Sequence, residues 1–419
     1  MLDFIRKSPT CFHAVYSLKQ MLEAEGYQEW KESQEWEAQP DGKYYVLRND
    51  SSLIALKIPH NTDIKGFHMT ASHSDSPAFK VKEAPEMLVE KHYVKLNTEK
   101  YGGMILSTWL DRALSVAGRI VVRNGEELET KLVNIDEDLL VIPNVAIHMN
   151  RDMNKGIEYN PQTDMLPLMA ECSENEACSD LLELVAEAAQ VKKEDILGHD
   201  LYLYPREEGR YIGKNKEFIL SPRLDDLQCA YSTMKAFVNS TPENYINVCA
   251  VFDNEEVGSG TKQGADSTFL EDVLVRCCEA MGMSEGKYRQ LVAGSFLISA
   301  DNAHAVHPNH PEKADPTNRP YLNGGIVIKY HGSQKYATDA VSAARMKLWC
   351  EKAGVPFQTY ANRSDIAGGS TLGNISTAHV SVSSVDIGLP QLAMHSAVET
   401  AGAKDSDYCI RALQEFYKE

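Results

Sequence analysis

The chain has 419 residues, 43% of them hydrophobic and 24% charged, a globular composition that excludes disordered and fibrous classes and a length that points to two domains. Its formal net charge of −18 makes nucleic acid and anionic membrane poor partners, and an acidic substrate would need a local cation against that field. Nine cysteines, an odd number with no CxxC spacing, are expected to be free thiols in a reducing compartment; with no signal-length or bilayer-length apolar run, the expected location is the cytoplasm.

A helix start at Ser8-Pro9-Thr10 is followed by Val15, Leu18, Met21 and Leu22 on one face, and Gly26 ends the run. Tyr44–Leu47 and Leu53–Ile58 read as a hairpin around Asn49-Asp50-Ser51, and Gly66–Ala71 as a strand leading into Ser72-His73-Ser74-Asp75. From about Val89 to Arg210 the pattern is β-rich, with runs at Lys91–Leu96, Arg119–Val122 and Leu139–Ile142 and one helix at Ala177–Ala189. From Ser221 onwards strands and helices alternate: helix Leu224–Ser240, strand Val248–Phe252, helix Ser267–Met281, strand Phe296–Ala300, helix Asp339–Ala353 and strand Val380–Ile387. Such alternation predicts an α/β layered core, made from both ends of the chain and interrupted by a β-rich insert.

The chemistry-bearing residues share a position just beyond apolar strands. His73 follows one, Glu255 and Glu256 another, Asp301 a third, and His395 lies a short loop past a fourth. Ligands of open α/β sheets bind beyond the carboxyl ends of strands. Asp225, at a predicted helix start, adds a carboxylate placed to bridge two cations. Histidine and carboxylate ligands without thiolate suit zinc, manganese or cobalt. Asp75, two residues after His73, fits a partner that fixes the imidazole tautomer. Of the neighbours Glu255 and Glu256, which point in different directions, one can bind metal while the other serves as general base.

Seven ordered blocks give the sequence a wider resemblance. They are 8–14 (SPTCFHA), 72–77 (SHSDSP), 142–148 (IPNVAIH), 221–226 (SPRLDD), 253–259 (DNEEVGS), 299–309 (SADNAHAVHPN) and 390–396 (PQLAMHS). In these the chain resembles the M18 metallopeptidases, the aspartyl aminopeptidase family, over nearly its whole length. The resemblance implies a zinc-exopeptidase-like three-layer α/β/α catalytic domain from residues 1–88 and 216–419, with an inserted β-rich dimerisation domain at 89–215. It implies one metal on His73, Asp225 and Asp301, and a second on Asp225, Glu256 and His395, most in keeping with zinc, with Glu255 as the base. His148 resembles the histidine that reaches a neighbouring subunit's active site to stabilise the oxyanion. Lys329, which by itself reads as an outward-facing strand lysine, resembles the lysine that meets an acidic substrate side chain. His304 and His307, close behind Asp301, are further candidates to line the substrate pocket. The implied assembly is a homo-oligomer of dimers forming a tetrahedral dodecamer that acts on peptides.

Departures from the family pattern fall at Cys11, Asp226, Lys335 and Ala397-Val398; none removes a metal ligand, and they bear on substrate preference. Competing readings are a related two-metal exohydrolase (a carboxypeptidase or N-acyl amino-acid deacylase) and a catalytically silent scaffold. The first is separated by peptides blocked at the amine or at the carboxyl group, the second by activity of a metal-replete sample.

Overall fold

All eight residues of the strand Gly66–His73 are buried, as expected of a strand covered on both faces. It lies near the middle of the larger of two compact units in the computed structural model, which describes residues 1–172, 178–366, 368–369 and 371–419. That unit comprises Met1–Asp75, Gly209–Met394 and Glu399–Glu419; the other comprises Ser76–Glu208 and His395–Val398.

The first unit is built on a nine-stranded sheet. At its centre Tyr245–Phe252, Gly66–His73, Phe296–Ala300 and Ser383–Gly388 run parallel, side by side. Toward one margin the hairpin Lys43–Arg48 and Ser52–Lys57 continues it antiparallel; toward the other, Ile326–Tyr330 pairs antiparallel with Ser383–Gly388 and parallel with Phe357–Ala361. The period-two geometry of a strand divides the side chains between two cores. In Tyr245–Phe252, Ile246, Val248, Ala250 and Phe252 enter one, and Cys249 and Val251 the other. Helices Cys11–Ala24, Leu224–Val238, Ala340–Ala353 and Asp405–Tyr417 cover the second face; Phe269–Ala280, Glu285–Ala293 and Leu372–His379 cover the first. The result is a three-layer α/β/α arrangement.

Phe416, on the last helix, packs against His68 at 4.5 Å, Trp349 at 4.9 Å and Phe296 at 6.1 Å between ring centroids. It is fully buried. Phe416→Ala is therefore expected to destabilise the first unit by about 3–5 kcal/mol, read as a lowered denaturant midpoint at unchanged slope.

The second unit carries a six-stranded sheet in which Leu114–Asn124 pairs antiparallel with Ile196–Pro205 and with Glu127–Asn134. Its core includes Phe79, Trp109, Val116, Ile120 and Leu203, with Leu181 and Val185 contributed by a helix. That helix, Leu181–Ala189, starts where the Asp180 carboxylate accepts the N–H groups of Leu182 and Glu183. The predicted start at Ala177 lies outside the described residues.

Three local expectations are corrected. Leu139–Ile142 forms no strand; Leu140 and Val141 make isolated bridges to Leu114 and Leu168. The apolar run predicted as strand from Val380 enters the sheet only at Ser383, because a helix occupies Leu372–His379 and Val380 is its cap. Cys172 and Cys178 are joined as a disulfide, while the other seven cysteines are free and buried. Among the described residues no helix is long and apolar enough to cross a membrane.

Candidate metal centre

Strand register creates the site. Phe252 pairs with His73 and Ser299 with Ala71 in parallel ladders, so three neighbouring strands end on the same edge of the sheet and deliver His73, the Glu255-Glu256 turn and Asp301 side by side. Beyond Phe252, Asn254 takes a left-handed conformation (φ 63°), one that asparagine tolerates better than most residues, and it turns the chain into the short 3-10 segment Glu255–Val257. Asp225 comes from the irregular start of the helix Leu224–Val238, where Asp225 and Asp226 have non-helical dihedrals and a cis peptide joins them. Two anchors hold that start: the Asp225 N–H donates to Glu399 Oε2 at 3.0 Å. Asn302, beside Asp301, donates through Nδ2 to the Leu224 carbonyl at 2.9 Å and to Gln391 Oε1 at 2.8 Å.

The donor atoms of His73, Asp225, Asp226 and Asp301 all lie within 4.8 Å of one another, and those of His73, Glu255 and Glu256 form a second such group. His73 Nδ1 is 3.1 Å from the Asp75 carbonyl and 3.3 Å from its Oδ1. Since a carbonyl oxygen only accepts, Nδ1 is the donor. Nε2 then faces Asp225 Oδ1 at 3.7 Å, beyond hydrogen-bond distance. A cation between them satisfies both. Asp75 also accepts the backbone N–H groups of Glu255 at 3.2 Å and Glu256 at 3.1 Å, so one carboxylate orients the imidazole and the acidic turn together.

The electrostatics favour the same conclusion. Burial, reinforced by the Asp225 charge, pushes the Glu256 carboxyl well up. Burial also raises Asp226 and Asp301, in each case against an opposing cation, His73 for the first and Lys329 for the second. Burial lifts Glu255 to about 8 and Asp253 to about 7. Burial alone would depress His73, but the Asp226, Asp225 and Asp75 carboxylates outweigh it and hold the imidazole well above its ordinary value. A crowd of buried carboxylates this poorly neutralised is costly unless a cation joins it. The grouped ligands are imidazole and carboxylate, with no cysteine among them, a donor set that fits zinc, manganese or cobalt.

The other candidates are distributed as follows. Lys329 is buried (3% exposed), not outward-facing: its Nζ is 3.8 Å from Asp301 Oδ2 and 5.5 Å from the centre of the Tyr336 ring. The sheet is covered on that face, which the strand pattern alone does not reveal. His304 and His307 are exposed and line a cavity of about 410 Å³. His395 and His148 belong to the second unit. There His395 Nδ1 lies 2.5 Å from the Gly103 carbonyl, and His148 occupies an exposed turn closed by the Met149 N–H on the Ala146 carbonyl. Sequence reasoning missed Asp226, whose Oδ2 accepts the His73 N–H at 3.2 Å, and Glu399, which anchors Asp225. Adjacency to Asp225 could have flagged the first. Nothing local marks the second.

Residues 4–417 match the family model described as aminopeptidase I zinc metalloprotease (M18). A probable M18 family aminopeptidase 2 of Clostridium novyi is 47% identical over 422 residues, covering 100% of this chain and 97% of the relative. Among solved structures, the complex of Ape4 and Nbr1 superposes with a TM-score of 0.96 at 35% identity, covering 99% of this chain and 84% of that one. The S. cerevisiae mApe1 dodecamer superposes with a TM-score of 0.86 at 25% identity, over 99% and 95% of the two chains.

Proposed function

This chain belongs to the M18 family and is a metalloaminopeptidase, and from that premise we propose that it removes N-terminal residues, preferably Asp or Glu, from peptides with the help of two divalent ions. The observation that carries the reading is the buried group of His73, Asp225, Asp226 and Asp301 with donor atoms within 4.8 Å. In the proposal His73, Asp225 and Asp301 hold one ion and Asp225, Glu256 and His395 the other, with Asp225 shared. Zinc fits the donors and the family description, and cobalt and manganese fit the donors as well. When bound, the pair supplies Lewis acidity: it polarises the scissile carbonyl and makes water a nucleophile near neutrality.

The chain's own side chains do the rest. Glu255 takes the proton of the attacking water and returns it to the leaving amine. Its donor atoms share a group within 4.8 Å with those of His73 and Glu256, close enough to reach a water that the ions would polarise. Asp75 holds the Glu255-Glu256 turn and the His73 ring in place. His148 donates to the tetrahedral oxyanion from a neighbouring subunit, a contribution of about 3 kcal/mol for a well-placed donor. The second unit, on this reading, is the dimerisation module of a tetrahedral dodecamer in the cytoplasm. An oligomer finds support in the mApe1 dodecamer. A fully active monomer in sedimentation analysis would rule out the role given to His148.

Lys329 supplies the local cation that an acidic first residue requires in a chain of net charge −18. Peptides differing only in the first residue, each with a free or acetylated amine, test the reading. Cleavage should need the free amine and should favour Glu over Ala. Lys329→Ala is expected to reduce kcat/KM for the Glu peptide about 10- to 100-fold more than for the Ala peptide, the equivalent of one charged hydrogen bond. Because Lys329 also neighbours Asp301, metal content is measured in the same samples. Equal losses on both peptides with metal retained would remove Lys329 from specificity.

A further inference from the structure

The cavity of about 410 Å³ lined by His304 and His307 lies within the ~300–1,000 Å³ range of small-ligand pockets. It is built on the segments that flank the metal centre: His304 comes three residues after Asp301, and Ala393, also in its wall, two residues before His395. Tyr336 and Tyr360 belong to one small buried cluster with Ala303 and Val327; Lys329 stands over the ring of Tyr336, and Tyr360, the partner of Lys329 in the strand ladder, lines the cavity. Lys329 itself is not in the lining, so the buried lysine and the polar groups of the cavity are different side chains on adjoining segments.

The polar groups of the cavity sort into those already engaged and those with donors to spare. Asp315 is taken up by its own turn, accepting the N–H groups of Thr317 at 3.0 Å and Asn318 at 2.7 Å and the Asn318 side chain at 3.0 Å. Arg363 is held by both oxygens of Asp365 at 2.9 and 2.8 Å, and His310 by Glu312 at 3.2 Å. His307 differs. Its Nδ1 accepts the Asn309 N–H at 3.2 Å, so the neutral ring carries its proton on Nε2 and offers a donor. Lys313, exposed on the same lining, adds an ammonium group. Asp315 is folded back on its own turn, and Glu312 and Asp365, the acids near Lys313, are tied to His310 and Arg363, so the two donors suit an added acceptor-only group, which is a carboxylate.

We infer that this cavity receives the leaving part of the peptide and that His307 and Lys313 bind a carboxylate it carries. The inference rests on the aminopeptidase reading for what occupies the cavity. The carboxylate is either the C-terminus of a short peptide or an acidic side chain past the scissile bond.

Binding without turnover tests this. The zinc-replete full chain is titrated with three amine-blocked peptides: acetyl-Ala-Ala-Ala with a free C-terminus, acetyl-Ala-Glu-amide and acetyl-Ala-Gln-amide. At least one of the two carboxylate peptides should bind fivefold or more tightly than the neutral amide, and which one does so identifies the source. In Lys313→Glu, with an unchanged melting temperature as the check on folding, the difference should drop below twofold. Equal binding of all three to the native chain, or a difference that survives in Lys313→Glu, overturns the inference. Hydrolysis of unblocked Glu-Ala-Ala is followed separately. Discrimination without hydrolysis keeps the carboxylate site and sinks the aminopeptidase reading; hydrolysis without discrimination does the reverse.

Discussion

Glu255→Gln is expected to lower kcat by about 10³-fold, some 4 kcal/mol of barrier, while leaving the metal content of the protein intact. The substitution keeps the size of the side chain and the backbone N–H that Asp75 accepts at 3.2 Å, and removes only the capacity to take a proton. Glu256→Gln provides the contrast. In the proposal that side chain is a metal ligand, so its loss should appear first as reduced metal stoichiometry. Metal analysis by mass spectrometry beside steady-state kinetics separates the two. A Glu255→Gln enzyme turning over at a near-normal rate would take the proton transfer away from this residue.

Stripping the metal should abolish turnover and also weaken the fold. A ligand bound only by the native state stabilises it by about 4 kcal/mol when its free concentration is a thousandfold above its Kd, so a chelator should lower the melting temperature by several degrees, restored by adding zinc. The pH dependence follows from the carboxylates. Burial raises Glu255 to about 8 and Asp253 to about 7, from their ordinary values of 4.5 and 3.8. Between those limits the stripped native state holds protons that the unfolded chain has released, so its stability falls as pH rises from about 4 to 8. A bound divalent ion compensates the ionised carboxylates and should flatten that slope. Melting curves of stripped and zinc-loaded protein across this range would show it. An unaltered melting temperature on chelation, or parallel pH profiles, would contradict a metal at this cluster.

Much of this was legible before any fold was known. The apolar runs ending at Ala71, Phe252 and Ala300 marked three strands of an α/β core and the residues just past them, because apolar patterning and the residue types at strand ends are local properties of a chain. Local signals also misplaced some elements. Leu139–Ile142 has the composition of a strand, but only bridge contacts await it; the apolar Val380 caps a helix before the chain joins the sheet.

Burial and long-range proximity were a different matter. Lys329 reads as exposed from its strand and becomes buried only because another layer covers that face, with Asp301 brought beside it by the pairing of distant strands. Asp226 and Glu399 enter the centre through hydrogen bonds to residues 153 and 174 positions away in sequence. The sequence by itself determined which residues offer imidazole and carboxylate donors and that they stand at strand ends. The tertiary structure decided which of those donors meet, how strongly their charges interact, and that Lys329 is buried beside Asp301, since these depend on the register between remote segments and on the water that packing excludes.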